Sequence, residues 1–167
     1  IDYTPVAKKA VDGENAPDET FTFEIEDEDG KTERATAKGG ATATFGTITY
    51  TAAGTYTYEI TEIAGNTPGM TYSTQTITLT VVVEKATDGT LSIKSATYEG
   101  GDGDDKNTIT NTYEKPLGSA TIPVKKTISG NNYNGTEKFT FTLTAGTATD
   151  GDGETITALP TIGNNTI

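Results

Sequence analysis

The chain has no cysteine, no histidine and no tryptophan, and a single methionine in 167 residues. Without cysteine there can be no disulfide and no thiolate zinc site. Without histidine the Ser-His-Asp and Cys-His arrangements are excluded, and so is the commonest transition-metal ligand. Apolar residues make up only 32% of the chain, and no run approaches the roughly 18 apolar residues of a membrane span. No signal peptide opens the sequence; if the protein is exported, its targeting and anchoring segments lie outside this sequence. Basic residues are also scarce, 12 against 24 acidic, for a net charge of -12. Such a surface repels nucleic acid and anionic membranes, so neither is expected as a partner. No cofactor is expected either. What remains for chemistry is carboxylates, lysines, amides, hydroxyls and backbone.

What is present is alternation. Gly54 to Glu62 sets Tyr56, Tyr58, Ile60 and Glu62 on one face of a strand and Thr55, Thr57, Glu59 and Thr61 on the other. Around it, strands are expected at 5–11, 20–26, 33–37, 41–50, 72–84, on a return run through Leu91, Ile93 and Tyr98, and at 107–114. Residues 33–37 read as a short polar edge strand, and Gly46 as a bend between Phe45 and Ile48. Asp88-Gly89 marks a hairpin and Pro68-Gly69 a loop. No segment carries the i, i+3, i+4 apolar spacing of a helix. The fold class expected is all-β, an immunoglobulin-like antiparallel β-sandwich.

Beyond a linker at 116–119 the pattern restarts. Val124-Lys125-Lys126-Thr127-Ile128 echoes Ala7-Lys8-Lys9-Ala10-Val11, and Phe139-Thr140-Phe141 echoes Phe21-Thr22-Phe23, at offsets of 117 and 118 residues. A repeat of that period implies tandem domains. The expected organisation is a complete domain at 1–115 and the N-terminal part of a second, truncated repeat at 120–167. The second copy has no counterpart of the Tyr56–Glu62 strand or of the strand at 107–114, and is too small to be expected to fold alone.

Three polar residues break the apolar faces: Lys9 on the first strand, Glu62 on a middle strand and Asn111 on the last. Amine, carboxyl and carboxamide are the ingredients of one reaction. A neutral lysine amine attacks the asparagine side-chain carbonyl, ammonia leaves, and an isopeptide bond joins the side chains. Burial disfavours the charged form of each partner, which frees the lysine lone pair and favours a protonated glutamate. Such a carboxyl can hydrogen-bond to the amide oxygen, polarise the carbonyl and pass protons to the leaving amine. Tyr56 and Tyr58 are expected to keep the site dry. The plainer reading of Lys9 is an edge-strand charge that blocks aggregation.

These residues also match a family. The chain resembles the pilin isopeptide-linkage domains of Gram-positive surface proteins. Lys9 between apolar Ala7 and Val11 matches the family's first-strand lysine. Tyr58, Ile60 and Glu62, followed by Pro68-Gly69 and Tyr72, match its glutamate-bearing box, and Asn111 with Tyr113 its closing motif. The resemblance implies a CnaB-type sandwich, a Lys9–Asn111 cross-link assisted by Glu62, and a structural role in a stalk. It implies an extracellular protein, anchored to the cell wall through segments outside this sequence. Implied partners are neighbouring repeats of the parent protein, sortase acting on that parent, and a host surface ligand if the parent is an adhesin. Lys126 matches Lys9 but has no glutamate or asparagine partner in the second copy, so it is expected to be unbonded here.

Weaker signals point elsewhere. The acidic runs at 102–105 and 150–152 could bind calcium, but lack the ligand spacing of a known loop and read as solvated turns, so no metal is expected. Leu159-Pro160-Thr161-Ile162-Gly163 approaches a sortase sorting signal with its threonine displaced, and reads as coincidence. Two rival functions remain: an adhesin module binding a host protein or glycan through its loops, and an Ig-like spacer without a cross-link. An enzyme acting on an external substrate is the reading least supported.

Overall fold

In the computed structural model, residues 1–116 are described throughout, and beyond them residues 118, 121–130, 132, 134–136, 138–143, 146–147, 149 and 155. The described strands are β1 (Asp2–Tyr3), β2 (Val6–Asp12), β3 (Thr20–Asp27), β4 (Thr32–Lys38), β5 (Thr42–Thr44), β6 (Ile48–Thr49), β7 (Gly54–Ile63), β8 (Met70–Thr71), β9 (Thr76–Lys85), β10 (Leu91–Glu99) and β11 (Thr108–Tyr113). They form an all-β sandwich. One sheet has the antiparallel order β10-β9-β7-β3-β4, and the other the order β5-β2-β11-β8. Strands β1 and β6 make a separate two-stranded ribbon. No helix among the described residues is long and apolar enough to cross a membrane.

The strands form where residues alternate, because one face of each can then be buried. On β3, Phe21, Phe23 and Ile25 point inward; on β7, Tyr58 and Ile60; on β9, Ile77, Leu79, Val81 and Val83. They meet Ala7, Ala43 and Ile109 of the other sheet in one core. Each large apolar side chain buried this way contributes roughly 1.5–3 kcal/mol. Strand β4, read from sequence as a polar edge, does lie at the edge of its sheet. It nevertheless buries Ala35 and Ala37.

Two departures from the expected strands matter for the site. Residues 41–50 do not form one strand. The chain breaks after β5, where the Gly46 N–H donates to Glu33 Oε1 at 2.7 Å, and resumes as β6. The break lets both Phe45 and Tyr50 turn inward. Likewise 72–84 is not continuous. Met70-Thr71 joins the four-stranded sheet, pairing with Tyr113 and Thr112 of β11, and the ladder with β7 begins only at Thr76. Residues 72–75 therefore cross from one sheet to the other. Gly69 makes the crossing possible: its φ is +84°, and a Cβ there would fall 2.2 Å from the Glu114 carbonyl oxygen.

The chain divides into two compact units, Ile1–Ala120 and Thr121–Ile167. In the second, the only pairing among the described residues is a bridge between Thr149 and Thr155. The runs expected to repeat β2 and β3 are not in strands there, and Ile122, Val124, Phe139, Phe141 and Leu143 are exposed. An amphipathic strand without a partner sheet has nothing to bury its apolar face against. The acidic run at 150–152 and the run at 159–163 lie outside the described residues.

Candidate functional site

The first and last long strands of the sandwich lie side by side and run parallel, an exception within an otherwise antiparallel fold. Lys9 is the register partner of Ile109, and Val11 of Asn111. Partners in a ladder share a face, so Lys9 and Asn111 point into the same side of the sheet, one strand and two residues apart. From strand spacing and rise that separation is roughly 8 Å between Cα atoms, within reach of a lysine side chain. The Lys9 backbone is pinned to the segment that leads into β5: its N–H donates to Ala41 O, and its carbonyl accepts from Gly40 N–H, each at 2.9 Å.

Glu62 comes from the opposite sheet. It sits near the end of β7, paired with Phe23 of β3 and one residue past the Thr61–Thr76 end of the β9 ladder. Its side chain enters the core, and the side chains of Lys9 and Glu62 are both 0% exposed. Lys9 Nζ donates to Glu62 Oε2 at 2.9 Å and to the Ile109 carbonyl at 3.2 Å. Asn111 Nδ2 donates to Glu62 Oε1 at 2.8 Å, and Asn111 as a whole is 0% exposed. One carboxyl group thus touches the amine with one oxygen and the carboxamide nitrogen with the other.

The carboxamide oxygen faces elsewhere: Ser73 N–H donates to Asn111 Oδ1 at 2.9 Å. Because a backbone N–H can only donate, this bond settles which way the amide is turned. Glu62 was expected to polarise that oxygen; it meets the amide nitrogen instead.

Burial dominates the electrostatics. Desolvation pulls the Lys9 amine below the ordinary lysine value, against the upward pull of the hydrogen bond to Glu62. The aromatic face beside Nζ belongs to Phe21, 4.7 Å from the ring centre, and not to Tyr56 or Tyr58. Tyr56 packs against Tyr50 instead, the rings tilted at 50°. Phe21 in turn packs edge-on against Tyr72 at 6.3 Å.

With an amine, a carboxyl and a carboxamide closed off from water, the arrangement can do one kind of chemistry, condensation of the first with the third. The family model FctA, described as the Spy0128-like isopeptide containing domain, matches residues 5–114. The chain belongs to this family. The resemblance to pilin isopeptide-linkage domains therefore holds at the level of family. Among solved structures, the FctA-family chain is similar to the major pilin protein T-13 from Streptococcus pyogenes, at 20% identity and a TM-score of 0.52, over 66% of this chain and 52% of that one. It is also similar to the major pilin from Streptococcus pyogenes, at 18% identity and a TM-score of 0.48, over 67% of this chain and 50% of that one. The likeness to T-13 is one of fold. The chain spans about half the length of these pilins. No curated protein matches it.

Other sequence candidates fall outside this cluster. Lys8, one residue from Lys9, points outward and pairs with Asp105 at 2.6 Å, both exposed. Lys126 lies 5.0 Å from the Phe139 ring centre, as Lys9 does over Phe21, but among the described residues no carboxylate pairs with it. No cluster of three or more metal-ligating side chains occurs among the described residues. Sequence reading missed Phe21, the Ile109 carbonyl and the Ser73 N–H. Phe21 could have been found as the aromatic that, like Lys9, is echoed in the second copy. The two backbone groups carry no side-chain signal.

Proposed function

We propose that this FctA-family domain is a load-bearing module of a Gram-positive surface pilus or adhesin stalk, and that it ties its first strand to its last with an isopeptide bond between Lys9 and Asn111. The observation that carries the reading is the buried Glu62 carboxyl, 2.9 Å from the Lys9 amine and 2.8 Å from the Asn111 amide nitrogen.

The chemistry follows from that geometry. Lys9, its charged form disfavoured by burial, passes a proton to Glu62 Oε2 and presents a lone pair. Nζ attacks Asn111 Cγ, a C–N bond forms, and the carbonyl electrons move onto Oδ1. Glu62, already carrying the first proton, gives it to Nδ2, and the carboxylate that remains takes the surplus proton from the new C–N nitrogen. The intermediate collapses, the Cγ–Nδ2 bond breaks and ammonia leaves. An amine and a carboxamide become one secondary amide plus ammonia, with no oxidant and no cofactor. Held together in a dry cavity, the reactants need no encounter step, which removes much of the barrier. Each chain reacts once, so the domain is a self-modifying structural element and not an enzyme.

The parallel pairing of β2 and β11 gives the bond its use. A pull on the two ends of the domain loads these adjacent strands in shear, and a covalent tie carries it past everything between residues 9 and 111. Closing a loop of about 100 residues also constrains the unfolded chain, worth about 4–5 kcal/mol by analogy with a disulfide. Unlike a disulfide, the bond survives reduction. The wider organisation proposed is a complete module at 1–115 followed by the start of a tandem copy at 120–167, with Lys126 unbonded. Neighbouring repeats and pilin subunits are its partners, the parent protein is processed by sortase, and the location is extracellular and wall-anchored.

Intact-mass measurement of the purified chain tests the proposal. The expected result is a mass one ammonia below that of the sequence, restored to the full value in Lys9→Ala. A wild-type chain at full mass leaves the uncross-linked spacer standing. Loss that survives Lys9→Ala but disappears in Lys8→Ala assigns the bond to the other lysine.

A further inference from the structure

The attack on Asn111 drives negative charge onto Oδ1, and Glu62 does not touch that atom. The group that does is the Ser73 N–H, at 2.9 Å. Ser73 stands in the crossing segment 72–75, outside any strand, so no ladder holds its N–H in place. Something else must.

The preceding residue supplies it. The Tyr72 hydroxyl donates to Glu19 Oε1 at 2.5 Å and accepts from the Thr67 N–H at 3.3 Å. The chain is threaded tightly around this pair: a Cβ on Gly65 would lie 2.4 Å from the Tyr72 oxygen and 2.9 Å from Glu19 Oε1. The other side of Ser73 is held through Gln75, whose N–H donates to Ser73 Oγ at 3.2 Å and whose side chain donates to Asp102 Oδ1 at 3.1 Å. The Glu19–Tyr72 contact also carries a cost, since Glu19 Oε2 is buried with no hydrogen-bond partner among the described residues. Glu19 gains nothing for the reaction through its charge, which favours the ammonium form of Lys9 and so opposes attack. Its contribution has to pass through Tyr72.

We propose that Glu19 and Tyr72 are a positioning pair that holds the Ser73 N–H on the Asn111 carbonyl oxygen, where this backbone donor stabilises the oxyanion formed as Lys9 attacks. The inference rests on the Lys9–Asn111 reaction proposed above. It adds a division of labour: Glu62 moves protons at nitrogen, and the Ser73 N–H takes the charge at oxygen. The donor is aimed before the reaction begins, which is the condition under which such a contact favours the transition state.

The test follows ammonia loss in time. The full chain is made by cell-free translation, quenched in acid at intervals and weighed intact, across a range of pH. Replacing Ser73 by its α-hydroxy acid turns one amide into an ester and removes only the N–H; the rate should fall on the order of a hundredfold. Ser73→Ala keeps the N–H and loses only the Gln75 contacts at Oγ, so it should slow the reaction far less than the ester does. Tyr72→Phe keeps the ring against Phe21 and should slow the reaction on the order of tenfold. Glu19→Gln, which retains an acceptor for the hydroxyl, should keep most of the rate that Glu19→Ala loses. In the ester and in Tyr72→Phe the plateau should drop while the pH midpoint stays in place, whereas the Glu19 variants, which lose a charge that favours the Lys9 ammonium, should also move the midpoint down. An ester variant at the wild-type rate overturns the proposal. So does a Tyr72→Phe chain whose midpoint moves toward that of an ordinary lysine, since wetting of Lys9 then explains the loss. Circular dichroism of each variant checks the fold, and the ester, which keeps every side chain, decides the matter if Tyr72→Phe unfolds. If the unsubstituted chain loses no ammonia, the cross-link reading itself falls, a result distinct from both.

Discussion

Lys9 and Lys126 occupy corresponding places in a repeated pattern and meet corresponding rings, Phe21 at 4.7 Å and Phe139 at 5.0 Å. Their surroundings differ completely. Phe21 is 2% exposed and Phe139 43%. Around Lys9 the sandwich adds a carboxyl from β7, a carbonyl and a carboxamide from β11, and a backbone N–H from the crossing after β8. Around Lys126 none of these stands among the described residues. A lysine beside a phenylalanine is thus a local feature that a short stretch of chain can make. A buried lysine with a carboxyl and a carboxamide around it is a property of the closed sandwich, because only closure strips water from the amine and delivers partners from strands 53 and 102 residues away in sequence.

The comparison is broken most forcefully at Glu62. Glu62→Ala removes the proton carrier and leaves the Lys9 amine buried beside a void. Ammonia loss should be abolished. The cross-link's contribution of about 4–5 kcal/mol should vanish, read as a large drop in the denaturant midpoint. The next effect is on pH. Desolvation lowers the Lys9 value, so the neutral amine grows in as pH rises through that lowered value. The rate of ammonia loss should climb with pH and level off below pH 10.5, the ordinary lysine value. The sign is the same for stability before the bond forms. Between the lowered folded value and the ordinary one the unfolded chain binds the extra proton, so stability rises with pH across that window and is lost as pH falls toward the folded value. A rate independent of pH, or one still rising well above that window, contradicts a desolvated amine.

Smaller is the effect of Phe21→Leu, which keeps an apolar side chain but removes the ring beside Nζ and the contact to Tyr72. It should slow the reaction while leaving the final mass unchanged, with a stability loss of about 1 kcal/mol in a chemical melt. The smallest effects belong to the two contrasting lysines. Lys8→Ala breaks only an exposed pair, and Lys126→Ala touches no cross-link. Neither should change the mass loss or the melting midpoint, and a second ammonia lost from the wild-type chain would show that Lys126 reacts after all.

Much of this was legible from residue types alone. Alternation at Phe21–Ile25, Tyr56–Ile60 and Ile77–Val83 located the main strands, since a strand has only two faces and one must be apolar to form a core. The same rule exposed Lys9, Glu62 and Asn111 as inward exceptions. The break at Gly46 was visible as a change in spacing. The crossing at 72–75 was not, because Tyr72 and Thr74 alternate in step with Thr76 and the strand beyond it; what removes those two from the ladder is the pairing of Met70-Thr71 with β11. The tyrosines of β7 were assigned to the site by being on the right face. They sit too far along the strand, and the ring that faces Lys9 comes from the neighbouring β3.

By itself, then, the sequence determined which chemistry is available and which side chains turn inward. Both depend only on residue type and on the period of two along a strand. The tertiary structure decided what those side chains meet. It set β2 parallel to β11, brought Glu62 across from the other sheet, turned the Asn111 oxygen toward Ser73 and placed Tyr72 against Glu19. Those choices depend on strand order, register and the path of a four-residue crossing, and they are settled only when all the strands close on one another and water leaves the space between them.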